Sequence, residues 1–192
     1  MIQCTITSAR NFANLPFAQI RSLDCGSLRP DGFPLQQIHP RTILSTSQEM
    51  FEFVACATNE PVLFNMETKI NPDFKNETRS PEDFVDAFVK VLKEVGKDRI
   101  DRVVHQNFGW RALVYSKEVM PGVEDGGTVP EGSDTGNLTT HGVGAGNWLG
   151  GVDSDTFSGS TPQERVAQAA ASIKADVLSP VWNGVRKPFD GE

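Results

Sequence analysis

The sequence predicts an α/β fold built on a parallel sheet. Three observations predict it. Strand and helix patterns alternate along most of the 192 residues, and alternation of this kind implies parallel strands joined by crossover helices. Residues 62–69 and 102–108 are apolar strand patterns, and each is followed by a segment of helical character. No internal repeat interrupts this order. The length suits one domain, residues 1–192, with a sizeable core.

The elements follow in order. Residues 1–14 have no clear period. Residues 16–23 suit a short helix with Phe17, Ile20 and Leu23 on one side, and residues 24–42, rich in Gly and Pro, read as a surface loop. A helix begins near Thr46, where Glu49 stands at capping-box distance, so hydroxyl and carboxylate can each satisfy an orphan amide. Met50, Phe51 and Val54 form its apolar stripe. After the strand at 62–69, Ser80 offers a cap, Pro81 fits the first helical turn, and Glu82 and Asp83 suit the positive end of a helix dipole. Phe84, Phe88, Val91, Leu92 and Val95 recur at helical spacing up to Gly96, a C-terminal stop. The strand at 102–108 and a helix at 110–119 come next. Ten of the thirty residues from 122 to 151 are glycine, which predicts a long flexible loop, holding a weak strand at most, rather than a helix or packed strand. Thr161 and Glu164 open a last helix by capping box, running to about Lys174, and residues 176–180 form a short strand.

Composition excludes several functions. A net charge of −7 and a pI near 5.0 argue against a nucleic-acid backbone as partner. No basic run suits an anionic membrane surface, no apolar stretch approaches a membrane span, and residues 1–10 lack a signal-peptide pattern. Cys25 and Cys56 suit either a disulfide or two buried free thiols, and no cysteine pair has metal-ligand spacing. Asn76-Glu77-Thr78 and Asn137-Leu138-Thr139 are glycosylation sequons.

Residues 62–70 carry the chemistry. Side chains alternate along a strand, so Asn65, Glu67 and Lys69 share one face while Phe64, Met66 and Thr68 share the other. Two readings fit: a parallel strand whose polar face ends at an active site, or an edge strand with an exposed polar face. His39, His105 and His141 stand near no acid–base signature. Trp110, Trp148 and Trp182 suit core or rim positions better than substrate platforms.

Residues 62–70 (VLFNMETKI), 23–34 (LDCGSLRPDGFP), 104–113 (VHQNFGWRAL) and 175–181 (ADVLSPV) together resemble the glycerophosphodiester phosphodiesterase family, in particular its secreted fungal type. The resemblance implies a partial TIM (β/α)₈ barrel, about strands three to six with their helices. It also implies a phosphoric diester hydrolase lineage, releasing glycerol 3-phosphate and an alcohol from glycerophosphodiesters in lipid metabolism with Ca²⁺ or Mg²⁺. By this resemblance Glu67 is a metal ligand and Lys69 a phosphate contact, with Asn65, Gln106 and His105 lining the site. The family's His-Arg-Gly and Glu-x-Asp motifs are absent, so no catalytic residue is assigned. Metal binding is expected to be weak or absent, and the chain inactive alone. A non-catalytic binder of phosphate ligands, or a truncated product without function, is the alternative. Asn107-Phe108-Gly109 stands where relatives tend to have Ser-Phe-Asp. Half a barrel also exposes strand edges at 62–69 and 176–180, so self-association is expected. The resemblance suggests an extracellular location.

Overall fold

The computed structural model describes residues 2–3, 12–29, 32–95, 97–121, 124–128 and 146–179. The chain comprises two compact units, Met1–Asn59 and Glu60–Glu192.

The first unit contains a parallel pair that the sequence does not announce. Strand β1 (Ile2–Gln3) pairs with β2 (Leu23–Asp24). Between them lies α1 (Phe17–Ile20), whose Phe17 is exposed rather than packed. The loop after β2 folds back beside it: the Cys25 amide donates to the Thr42 carbonyl and the His39 amide to that of Gly26, at 3.1 and 2.8 Å. Gly26 has no room for a side chain, since a Cβ there would stand 1.9 Å from the His39 carbonyl oxygen. Helix α2 (Ser47–Ala57) starts at the expected capping box of Thr46 and Glu49. The Arg21 guanidinium grips both Glu49 carboxylate oxygens, at 2.8 and 2.7 Å. Cys25 is disulfide-bonded and Cys56 is a free, exposed thiol, so the two neither pair with each other nor share burial.

The second unit is a four-stranded parallel sheet in the order β3 (Phe64–Glu67), β4 (Val103–Asn107), β5 (Glu124–Thr128), β6 (Val177–Ser179). Spatial order equals chain order, and the crossovers carry α3 (Pro81–Val95), α4 (Trp110–Val119) and α5 (Pro162–Ser172). α3 packs on α4, and α4 on β4 and β5. In α3 the buried side chains are Val85, Phe88, Val89 and Leu92. Phe84, Val91 and Val95 flank this stripe, half-buried, so it is rotated from the expected one. Each fully buried aliphatic or Phe side chain contributes about 1.5–3 kcal/mol. A second cluster joins Trp110 and Leu113 to Val166, Ala169 and Ala170 across α4 and α5, with Leu149 between.

Strand β5 corrects the loop expected over 122–151. Its sequence, Glu-Asp-Gly-Gly-Thr, has little strand propensity. It is paired on both sides, Val104–Asn107 against Glu124–Gly127 and Gly126–Thr128 against Val177–Ser179, and two ladders of backbone hydrogen bonds override the local preference. Residues 129–145 of the expected loop lie outside the described residues. Residues 146–151 form turns around the buried Leu149.

Candidate functional site

The alternation predicted for β3 holds in space. Asn65, Glu67 and Lys69 are exposed, whereas Phe64, Thr68 and Ile70 are buried. On β4 the buried residues are Val103, His105 and Asn107, and Gln106 points with the exposed set. Parallel register sets Glu67 beside Gln106 and Met66 beside His105. One face of the sheet therefore carries Asn65, Glu67 and Gln106 near its carboxyl end, with Lys69 just beyond.

These side chains touch one another. The Asn65 amide donates to the Gln106 carbonyl oxygen at 2.5 Å. The Lys69 ammonium lies 3.2 Å from a Glu67 oxygen and 5.2 Å from the centre of the Phe108 ring. An ion pair this exposed contributes roughly 0–1 kcal/mol, so Lys69 is readily drawn from Glu67 to an incoming anion. The arrangement presents an ammonium and two carboxamides on one face. Glu67 is its carboxylate.

His105 is not among the lining residues. Adjacent strand residues face opposite ways, so His105 and Gln106 cannot both line one face, and register assigns that face to Gln106. The His105 ring is fully buried, stacked on Phe88 with centroids 4.6 Å apart, and its Nε2 lies 2.8 Å from the Thr68 hydroxyl. Asn107 completes this buried knot. Its amide donates to the Thr68 hydroxyl at 2.6 Å and to the Thr68 carbonyl, while its Oδ1 accepts from the Gly109 amide at 2.6 Å. The departure at 107–109 is thus a structural clamp that ties the ends of β3 and β4. His141 and Trp182 lie outside the described residues. Trp110 is core, and Trp148 donates its indole N–H to Asp73 at 2.6 Å.

The described residues make no closed divalent-cation site. Ca²⁺ takes six to eight oxygens or so, and no group of three or more His, Cys, Asp or Glu converges among the described residues. Glu67 stands alone as a carboxylate on its face of β3 and β4.

A second feature went unread in the sequence. At the carboxyl end of β3 and β4, the loop after β3, the starts of α3 and α4 and the turn at 146–151 enclose a pocket of about 440 Å³. Its walls include Lys75, Arg79 and Arg111 as cations and Glu82 as the carboxylate. Arg111 grips Glu82 through Nε and Nη2, at 3.0 and 2.5 Å. A bond from its own backbone amide, and then Arg111, hold the Glu82 carboxyl below its ordinary range. Gly150 closes one wall in the left-handed region at φ +66°, where a Cβ would stand 3.0 Å from the Arg111 amide nitrogen. Lys75 and Arg79 sit in a polar loop without periodicity, so no pattern links them to Arg111 on the next helix.

No protein-family model and no curated protein sequence matches the chain. A solved structure does: the "Putative glycerophosphoryl diester phosphodiesterase" of Silicibacter pomeroyi DSS-3, with a TM-score of 0.65 and 19% sequence identity. The match covers 88% of this chain and 50% of that one, so the chain spans half the length of its structural neighbour. At that identity the likeness establishes a shared α/β fold.

Proposed function

We propose that this chain presents the phosphate-facing part of a glycerophosphodiester-phosphodiesterase-type barrel, its β3–β6 corresponding to barrel strands three to six. The observation that carries the reading is the polar row of Asn65, Glu67 and Gln106, with Lys69, on one face at the carboxyl end of adjacent parallel strands. Active sites of barrels form at that end. Lys69 holds a phosphodiester oxygen, Asn65 and Gln106 orient its polar substituents, and Glu67 positions Lys69 when no ligand is present. The fold likeness to the Silicibacter protein and the four sequence stretches support the lineage. The ligand is a small glycerophosphodiester.

Turnover is a separate matter. Hydrolysis needs a proton donor for the leaving group, and the polar row contains no histidine to serve as one. The sequence contains neither His-Arg-Gly nor the Glu-x-Asp pair. The chain by itself therefore binds the diester without cleaving it. Titration with glycerophosphocholine tests both parts. Saturable binding that weakens roughly tenfold in Lys69→Ala, with no glycerol 3-phosphate released above a Glu67→Ala control, is expected. Binding indifferent to Lys69→Ala overturns the site, and metal-dependent release that requires Glu67 overturns the assignment of no turnover.

A further inference from the structure

We propose that the pocket between the β3–α3 loop and the start of α4 is a binding site for a phosphate dianion, either inorganic or on a small phosphomonoester. It shares no residue with the row of Asn65, Glu67, Lys69 and Gln106, and the inference stands independently of that row's function.

The charge pattern carries the argument. The chain has a net charge of −7, yet this pocket gathers three cations against one carboxylate. Among the described residues, one of the three cations has an internal partner. Arg111 spends Nε and Nη2 on Glu82, and Lys75 and Arg79 form no ion pair with another described residue. All three cations are exposed, but they line one concavity, and a concave site focuses potential more than a flat face does; Asp73 and Glu77, bonded to the lining residues Asn147 and Asn71, do not themselves line it. A dianion gains from each cation, whereas a neutral or cationic ligand gains nothing.

The helix ends are not the source of the attraction. The first turn of α3 is already served by the Ser80 hydroxyl, which accepts from the Asp83 amide at 3.0 Å, and by Glu82. At α4 the Trp110 amide donates to the Trp148 carbonyl at 2.8 Å. The side-chain cations recognise the anion, and the hydroxyls of Thr78 and Ser80 have protons to donate toward it. Guanidinium groups suit this task because their forked donors match phosphoryl oxygens two at a time.

Size sets the rest of the ligand. About 440 Å³ falls in the small-molecule range of roughly 300–1,000 Å³, larger than phosphate needs and too small for a macromolecular segment. Glycerol 3-phosphate fits this description, and so does the exposed headgroup of phosphatidic acid. Both present the same dianion.

Calorimetric titration of the full chain with inorganic phosphate and with glycerol 3-phosphate tests the site at low ionic strength, where surface fields are least screened. Saturable binding is expected. It should weaken roughly tenfold or more in Lys75→Ala/Arg79→Ala, and within error not at all in Lys69→Ala. Circular dichroism confirms that both variants fold, since neither cation of the double variant pairs with another described residue. A parallel flotation with phosphatidic acid vesicles identifies the source. Binding of the soluble esters assigns a metabolite site, and vesicle binding alone, lost in the double variant, assigns a lipid headgroup. No saturable binding in either arm, or binding that survives the double variant, overturns the proposal. Binding lost in Lys69→Ala alone would instead move the anion to the β3 row.

Discussion

Asn107 shows how much a single buried amide can hold. It satisfies the Thr68 carbonyl and the Gly109 amide at once, and both bonds are buried. Replacing Asn107 with Ala strands both groups. Each buried unsatisfied group costs about 1–3 kcal/mol, so Asn107→Ala should lower stability by about 2–5 kcal/mol, read from urea unfolding. An Asn107→Asp variant keeps the oxygen for Gly109 but loses the donor to Thr68, and should fall between Ala and the parent chain. A second single-residue test is Gly150→Ala. The left-handed backbone and the 3.0 Å approach to Arg111 both oppose a methyl group, and a loss of about 1–3 kcal/mol is expected in the same assay. Sequence reading placed Asn65, Glu67 and Lys69 on one exposed face of β3, because alternation within one strand is local. It misassigned His105, because which face of β4 aligns with which face of β3 is a matter of register between segments 37 or more residues apart. Lys75 and Arg79 were beyond reach for a related reason: their significance depends on Arg111, which packing alone brings near.

Helix starts were the most legible elements. The boxes Thr46–Glu49 and Thr161–Glu164 form as the spacing requires, since capping is decided within four residues. Strand β5 was illegible, because its stability comes from neighbours on both sides rather than from its own Gly-rich sequence. The boxes also make a pH prediction. Glu164 accepts from the Ser160 hydroxyl and from the amides of Ser160 and Thr161, which hold its carboxyl below the usual range. For Glu49 the Thr46 amide comes first and Arg21 second. A carboxyl lowered on folding adds stability that is complete above its unfolded pKa, about 4.3. That stability fades as pH falls through the lower folded value. Glu164→Gln retains a cap but cannot ionise. Its melting temperature should lie below the parent's at pH 7 and converge with it near pH 3, measured by thermal circular dichroism. A deficit unchanged across that range would show that the charge of Glu164 is irrelevant.

At the scale of the whole molecule, β3 and β6 are the outer strands of the four-stranded sheet among the described residues. Exposed parallel edges invite pairing with another chain. Leu63, 78% exposed, and Val177, 44% exposed, place apolar surface at both edges. Association that rises with concentration is expected in analytical ultracentrifugation, and Leu63→Lys or Val177→Lys should reduce it. A monomer at all concentrations would show that the edges are protected. The metal behaviour also belongs at this scale. With one carboxylate on the polar row, Ca²⁺ should bind no tighter than about millimolar. Micromolar affinity by calorimetry would require acids from elsewhere in the chain.

The position of β5 bears on the order in which the sheet can assemble. Among the described residues β6 joins the sheet through β5 alone, and β5 has little tendency to extend by itself. The β3–β4 pair and α3 can form first, from segments with strong local signals. β5 and β6 must then dock together, closing long loops before any contact rewards them. Native-state hydrogen exchange should therefore find the amides of β5 and β6 opening as one cooperative group, at lower free energy than those of β4. The C-terminal half of the sheet would be the last part to order and the first to let go.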